Sequence, residues 1–260
     1  MSFSHGADIT KIEVENFKIK YRGVVEMEIT IIHGQMHKGS TYHITEMLRN
    51  RLAEQETVVH EFFMPIDAPG YCVGCFQCIM KGEKFCPEAK QVQKIAEAMI
   101  SSQVIIVDSP TYCFEMTGQL KTLFDHFAYL WMSHRPQGEM FSKIGVVVST
   151  AAGAGAKNVT KSIRKQLFWW GIPKTYRLHF NVNASAWEDV QEKVKRKIEH
   201  EVEETSVRII SESGKSKSGI KTKLIFSVMR KMQGSNTWNR VDKEHWENNR
   251  WLGKARPWNL

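Results

Sequence analysis

Four of the five cysteines in this 260-residue chain fall within the fifteen residues "CVGCFQCIMKGEKFC". The spacing is C-x2-C-x2-C-x7-C, at Cys72, Cys75, Cys78 and Cys86. Three thiols within seven residues, with a fourth nearby, can wrap a cubane iron–sulfur cluster, which takes four Cys and often draws them from such a run. Structural zinc more usually takes two separated pairs. A disulfide, or four thiols that hold nothing, would satisfy the same spacing. Gly74 and Gly82 give this loop the backbone freedom that wrapping a ligand needs. No N-terminal stretch joins a basic end to an apolar h-region, so the chain is expected to be cytoplasmic, where thiols stay reduced and disulfides are rare.

A second group of chemistry-bearing residues lies in "HGQMHKGST", between an apolar run and an amphipathic one. Such a turn points backbone N–H groups at whatever sits above the helix N-terminus, and the helix dipole adds positive potential there. Gln35, His37, Lys38, Gly39, Ser40 and Thr41 offer the hydroxyls, N–H groups and charge that a terminal phosphate monoester needs. The spacing of a nucleoside triphosphate loop is absent, as is G-x-G-x-x-G. A capped helix after an ordinary turn is the alternative.

The elements that must position these loops alternate. "MEITIIHG", "TVVHEFFM", "VIIVDSP", "KIGVVVST" and "TYRLHFNV" read as strands. "STYHITEMLRNRLAEQ", "PEAKQVQKIAEAMISSQ", "TGQLKTLFDHFAYLW", "NVTKSIRKQLFWWG" and "AWEDVQEKVKRKIEHEVEETSVRII" read as helices between and after them. Strands that are almost uniformly apolar and alternate with helices predict an α/β fold, a doubly wound five-stranded parallel sheet covered on both faces. The expected organisation is an extension over 1–26, a sheet domain over 27–213 and a tail over 214–260.

The segment after the third strand carries the most specific pattern. Ser109-Pro110-Thr111-Tyr112, Gly118-Gln119-Leu120-Lys121 and Phe124-Asp125 resemble the S-P-x-Y, G-Q-L-K and apolar-Asp motifs of the flavodoxin-like NAD(P)H-dependent FMN reductases, a group that includes the iron–sulfur flavoproteins. "HGQMHKGST" is similar to that family's first loop, with Gln35, Met36 and His37 at its Ser-Pro-Arg positions. "STAAGAG" resembles its third. The resemblance covers about residues 27–210. It implies strand order 2-1-3-4-5, with the ligand outside the carboxyl ends of the strands. It also implies FMN held by the first loop together with Pro110, Thr111, Tyr112, Cys113, Phe114, Thr150, Ala151, Ala152 and Gly153. Tyr112 or Phe114 would lie against the ring, the alternative for each being core packing. The iron–sulfur members have a similar cysteine motif after the second strand, which implies a 4Fe–4S cluster on Cys72, Cys75, Cys78 and Cys86, although broader relatives resemble this segment as FMN proteins alone.

The implied function is an FMN-dependent oxidoreductase that takes reducing equivalents from NAD(P)H and passes them to an acceptor: a quinone, free flavin, metal ion, nitro compound or iron–sulfur centre. The alternatives are an electron-transfer protein between redox-protein partners, and a flavin-holding module that acts through its tail. Family members generally associate, so a homo-dimer or homo-tetramer is expected.

Composition places the charge. Hydrophobic residues make up 42% of the chain and charged ones 25%, ordinary for a domain with a real core. Residues 214–260 hold eleven Lys and Arg against three acids, a net +8 that equals the formal charge of the whole chain. The rest is neutral, so the basic balance gives no reason to expect nucleic-acid binding by the core. In the tail, Ile220, Leu224, Ile225, Val228, Met229 and Met232 form one predicted helical stripe among basic residues. An arm packed on its own sheet or a partner is expected, with contact to an anionic membrane surface as the alternative.

Overall fold

The computed structural model describes residues 27–53 and 57–259. The expected extension over 1–26 lies outside the described residues. Five strands form one sheet: β1 (Glu28–His33), β2 (Val58–Phe63), β3 (Val104–Asp108), β4 (Ile144–Ala151) and β5 (Lys174–Asn181). All neighbours are parallel, as the alternation predicts, and the order is β2-β1-β3-β4-β5, as the family resemblance implies. β3 and β4 are buried along their whole length, because helices cover both faces. β2 and β5 are the edges.

Between the strands run α1 (Ser40–Leu52), a single turn α2 (Gln77–Met80), α3 (Ala89–Ser101), α4 (Gly118–His126) and α5 (Ala156–Trp169). After them come α6 (Glu192–Glu212), α7 (Ile220–Gly234) and α8 (Arg240–Asn248). One core packs Ile32, Ile105, Val107 and Val147 against Val92, Ile95 and Met99 of α3, Leu120 and Leu123 of α4, and Ile163 and Leu167 of α5. The other packs Ile29, Ile31, Ile106, Val146 and Leu178 against Ile44 and Leu48 of α1 and Ile198 and Val202 of α6. Successive side chains of a strand point to opposite faces, so alternate residues of β1 and β3 enter different cores.

All five helices read from the sequence before the tail have shifted bounds, and α1 already ends at Leu52. α3 begins at Ala89 rather than in the turn with Pro87, and the fourth predicted helix starts earlier, at Ala156. α4 passes at Phe127 into a 3-10 turn ending at Leu130. α6 starts at Glu192, six residues after the predicted start, because 185–190 form bends and turns.

The tail corrects the predicted stripe. α7 is a helix, but its apolar residues divide between two faces. Phe226 and Thr222 are buried and Ile225 and Met229 partly so, whereas Ile220 is 88% and Leu224 63% exposed. Phe226 decides the orientation. Its ring lies 4.8 Å from Trp246, 5.5 Å from Trp251 and 5.2 Å from Trp258, and these aromatics close a third core on Phe141 and Met132 of the sheet domain. The glycine-rich connection before it is pinned as well, with Ser218 Oγ donating to the Phe141 carbonyl at 3.2 Å. No helix among the described residues is long and apolar enough to cross a membrane.

Candidate functional site

A right-handed parallel sheet brings the loops after β1, β3 and β4 to one edge, the carboxyl ends of its strands. Three hydrogen bonds show that these loops meet. The Tyr112 hydroxyl donates to Gln35 Oε1 at 3.0 Å, joining the first and second loops. Thr41 Oγ1 and Thr150 Oγ1 are 2.6 Å apart, joining the first and third. The Thr111 N–H donates to the Thr150 carbonyl at 2.9 Å, joining the second and third.

The first loop is held close against β3. The Gly34 N–H donates to the Asp108 carbonyl at 2.8 Å, and a Cβ at Gly34 would lie 2.7 Å from that oxygen, so no larger residue fits. Beneath the loop, His33 is 1% exposed. Its Nδ1 lies 2.6 Å from Asp108 Oδ2 and its Nε2 2.9 Å from Glu61 Oε1. Burial alone would pull the imidazole pKa down, but the two carboxylates overcome it and hold the pKa above the ordinary range.

α1 starts at Ser40 with Gly39 as its N-cap and no side chain capping it; its first turn holds no acid. The N–H groups of the first turn therefore have no intrahelical acceptor, and the first internal bond runs from the His43 N–H to the Gly39 carbonyl. The Ser40 and Thr41 side chains stand at that opening. This donor set, hydroxyls and free N–H groups with no opposing carboxylate, has the chemistry that a phosphate monoester requires.

A cleft of about 230 Å³ opens there. Of the residues read from the sequence, Gln35, His37, Gly39, Ser40, Thr41, Pro110, Thr111, Tyr112, Thr150, Ala151 and Ala152 line it. Lys38 does not. Its ammonium sits over the Tyr42 ring, 4.9 Å from the centroid. Cys113, Phe114 and Gly153 also stand outside the lining. Cys113 and Phe114 form the tip of a tight turn with φ of 50° and 65°, closed by reciprocal backbone bonds between Tyr112 and Glu115 at 2.9 and 3.0 Å. Tyr112 is 49% and Phe114 63% exposed, so neither ring is spent on core packing. Tyr112 leaves its apolar face at the cleft.

The sequence reading missed Val182, Ala184 and Ser185, which line the same cleft from beyond β5. Their signal was topological. β5 pairs with β4 so that Ala151 faces Asn181, and the Val182 N–H bonds the Ala151 carbonyl at 2.9 Å, so the chain leaving β5 must border the third loop.

The cysteine loop lies between β2 and α3. Gly74, Phe76 and Gly82 have φ of 64°, 57° and 112°, the left-handed backbone that favours glycine. Cys72 and Cys75 are exposed and Cys78 and Cys86 half-buried, all as free thiols. Burial, followed by the neighbouring thiols, pushes the Cys78 thiol pKa up; burial does the same at Cys86. Cys86 Sγ lies 3.5 Å from His126 Nδ1, and His126 Nε2 is 2.8 Å from the Gly70 carbonyl. Four thiols in one loop have the right number and chemistry for a cluster. They do not converge: among the described residues no three His, Cys, Asp or Glu side chains are grouped to hold a metal ion.

Fold and cleft together define a flavodoxin-like α/β protein with an open cleft at the switch point of its sheet. The chain belongs to the family described as NADPH-dependent FMN reductase, which matches residues 27–186. It is 32% identical over 114 residues to an iron–sulfur flavoprotein of Archaeoglobus fulgidus, covering 43% of this chain and 49% of that protein. It is 29% identical over 99 residues to an iron–sulfur flavoprotein of Methanocaldococcus jannaschii, covering 38% and 50%. The chain thus spans about half the length of these curated relatives. A solved FMN-dependent NADH-azoreductase from Bacillus anthracis, in complex with FMN, superposes with a TM-score of 0.54 at 13% identity, covering 70% of this chain and 99% of that one. An NADH:FMN oxidoreductase in its apo form gives 0.51 at 16%, covering 76% and 98%. At these identities the solved structures speak to the fold alone.

Proposed function

We propose that the protein binds FMN in this cleft and acts as an oxidoreductase that moves reducing equivalents from NAD(P)H to an acceptor. The observation that carries the reading is the junction of three loops through the Tyr112–Gln35, Thr41–Thr150 and Thr111–Thr150 bonds. Flavin, when bound, supplies the hydride and electron chemistry. The chain's own residues bind and orient. Ser40, Thr41 and the first-turn N–H groups of α1 take the phosphate. Pro110, Thr111, Ala151 and Ala152 are small or apolar and let a flat ring approach the backbone. Tyr112 and Phe114 present faces that can pack against a planar ring. No side-chain acid–base pair is needed in this reading.

The test is to add FMN to purified protein and follow binding by flavin fluorescence, then oxidation of NADH and NADPH with quinone, ferric, nitro and azo acceptors. Binding followed by turnover is expected. Flavin-loaded protein that oxidises neither nucleotide with any acceptor would overturn the enzymatic reading.

A second reading is favoured by the four free cysteines of one loop and by the names of the archaeal relatives. In it the loop takes an iron–sulfur cluster and the protein passes electrons to a redox-protein partner. Anaerobic purification with iron, sulfide, zinc and flavin analysis separates the two.

A further inference from the structure

Residues 131–136 run between the cysteine loop and the C-terminal helices, and Arg135 among them is 4% exposed. Its guanidinium donates to the Ile79 carbonyl at 3.1 Å and to the Cys78 carbonyl. It also donates to Asp242 Oδ1, and its Nε lies 3.3 Å from Glu83 Oε2. Asp242 on α8 is 1% exposed and its other oxygen lies 2.7 Å from His134 Nδ1. Asn239, the N-cap of α8, accepts from the Asp242 N–H at 3.1 Å and donates to the Ile79 carbonyl at 2.9 Å. Further bonds seat the 131–136 segment itself. Trp246 Nε1 donates to the His134 carbonyl at 2.6 Å, and Gln233 Nε2 to the Ser133 carbonyl at 2.7 Å.

The carbonyls of Cys78 and Ile79 lie at the end of α2, where backbone acceptors have no intrahelical partner. A planar guanidinium presents its donors in a rigid fork that fixes the relative position of two neighbouring oxygens, whereas the donors of an ammonium rotate freely. Burying this cation and its carboxylate costs more desolvation than an apolar contact of the same shape. The pair supplies something an apolar contact lacks, a fixed register for two successive carbonyls. Asn239 and Asp242, which complete the arrangement, come from the tail.

We infer that the C-terminal helices are a latch on the cysteine loop, and that Arg135 is its positioning residue. The latch fixes the half of the loop from Cys78 to Glu83, while Cys72 and Cys75 remain on the exposed half. The tail is then part of the thiol-bearing site and not an appendage beside it. The inference concerns the shape of the loop and stands whether or not a cluster occupies it.

The test is site-resolved alkylation of the reduced, metal-free full chain with N-ethylmaleimide, read by mass spectrometry. In the wild type, Cys78 labels more slowly than Cys72 and Cys75. Asp242→Ala frees Arg135 and the Ile79 end, so Cys78 labelling rises about tenfold, as expected when a local opening becomes easier. Cys113 labelling and FMN affinity stay unchanged, which a general loss of stability would not leave intact. If Asp242→Ala does not fold, Asn239→Ala removes one bond to Ile79 and gives a smaller rise in the same direction. Unchanged Cys78 labelling in a folded variant, or an equal rise at all five thiols, overturns the latch. Iron and sulfide analysis of anaerobically purified protein that has not been stripped of metal tests the cluster separately, so the two readings fail independently.

Discussion

His33 Nδ1 lies 2.6 Å from Asp108 Oδ2, so the last residue of β1 and the last residue of β3 are joined side chain to side chain beneath the first loop of the cleft. Glu61 of β2 takes the other ring nitrogen at 2.9 Å, and the ring stacks on Phe63 at 4.4 Å. Three adjacent strands are tied at the edge where the ligand is proposed to sit.

The raised His33 pKa makes stability depend on pH. Its folded value lies above the ordinary value of about 6.5, so the triad's contribution is complete below that pH and is lost as pH rises through the folded value. Asp108→Asn should lower stability by about 1–3 kcal/mol below pH 6.5, as expected for a weakened buried hydrogen bond. It should also flatten the decline above that pH. Urea melts of both proteins across the range measure this. A decline of the same steepness in the variant would show that His33 is not its source.

Lys143 works in the opposite direction. It is 5% exposed, its ammonium donates to the Ile100 carbonyl at 2.7 Å and to that of Ser102, and burial pulls its pKa down to about 8. The folded state thus releases this proton before the unfolded chain does. Its contribution is present above the unfolded value of about 10.5 and is lost as pH falls through about 8. Lys143→Met should remove that rise from the alkaline limb of the stability profile, and should leave the His33 limb in place.

Phosphate capture by Ser40 and Thr41 predicts a graded loss. Ser40→Ala and Thr41→Val should each weaken FMN binding about tenfold to a hundredfold, the range expected for a hydrogen bond to a charged group. Flavin fluorescence titration reads this directly. Lys38→Met is the control: its ammonium lies on Tyr42, so affinity should stay within about threefold, the scale of an exposed, screened charge.

The divided stripe of α7 predicts a contrast between two neighbours. Phe226→Ala should cost about 3–5 kcal/mol through the cavity left among Trp246, Trp251 and Trp258. Leu224→Ser, two residues away on the outward face, should stay within about 0.5 kcal/mol. Denaturant melts distinguish them, and equal losses would mean that the outward face is covered in solution.

The alternation of apolar strands with amphipathic helices made the parallel sheet legible in the sequence, because parallel strands covered on both faces must be apolar throughout, whereas the order of its strands came from the family resemblance. Loop residues such as Ser40 and Thr111 could be placed on the cleft because they follow strands whose carboxyl ends share an edge. Lys38 could not be placed, since its rotamer is decided by the rings of Tyr42 and Phe63 rather than by chain position. Phe226 was missed for a similar reason. Hydrophobic periodicity counts apolar positions without saying which face finds aromatic partners far away in sequence. The link from Asp242 to Arg135 spans more than a hundred residues and leaves no local pattern.

The outer margin of the sheet has a bearing on how copies of this chain could meet. β5 carries Lys174, Arg177 and His179, and Lys174 is neutralised by Glu212 at 2.5 Å, whereas burial and then the nearby Arg164 pull the Arg177 pKa down. A ribbon formed by laying this margin against its own twin would set guanidinium near guanidinium, a natural guard against runaway strand addition. Any pairing through this margin would have to accommodate those charges before the backbone of the fifth strand could be shared.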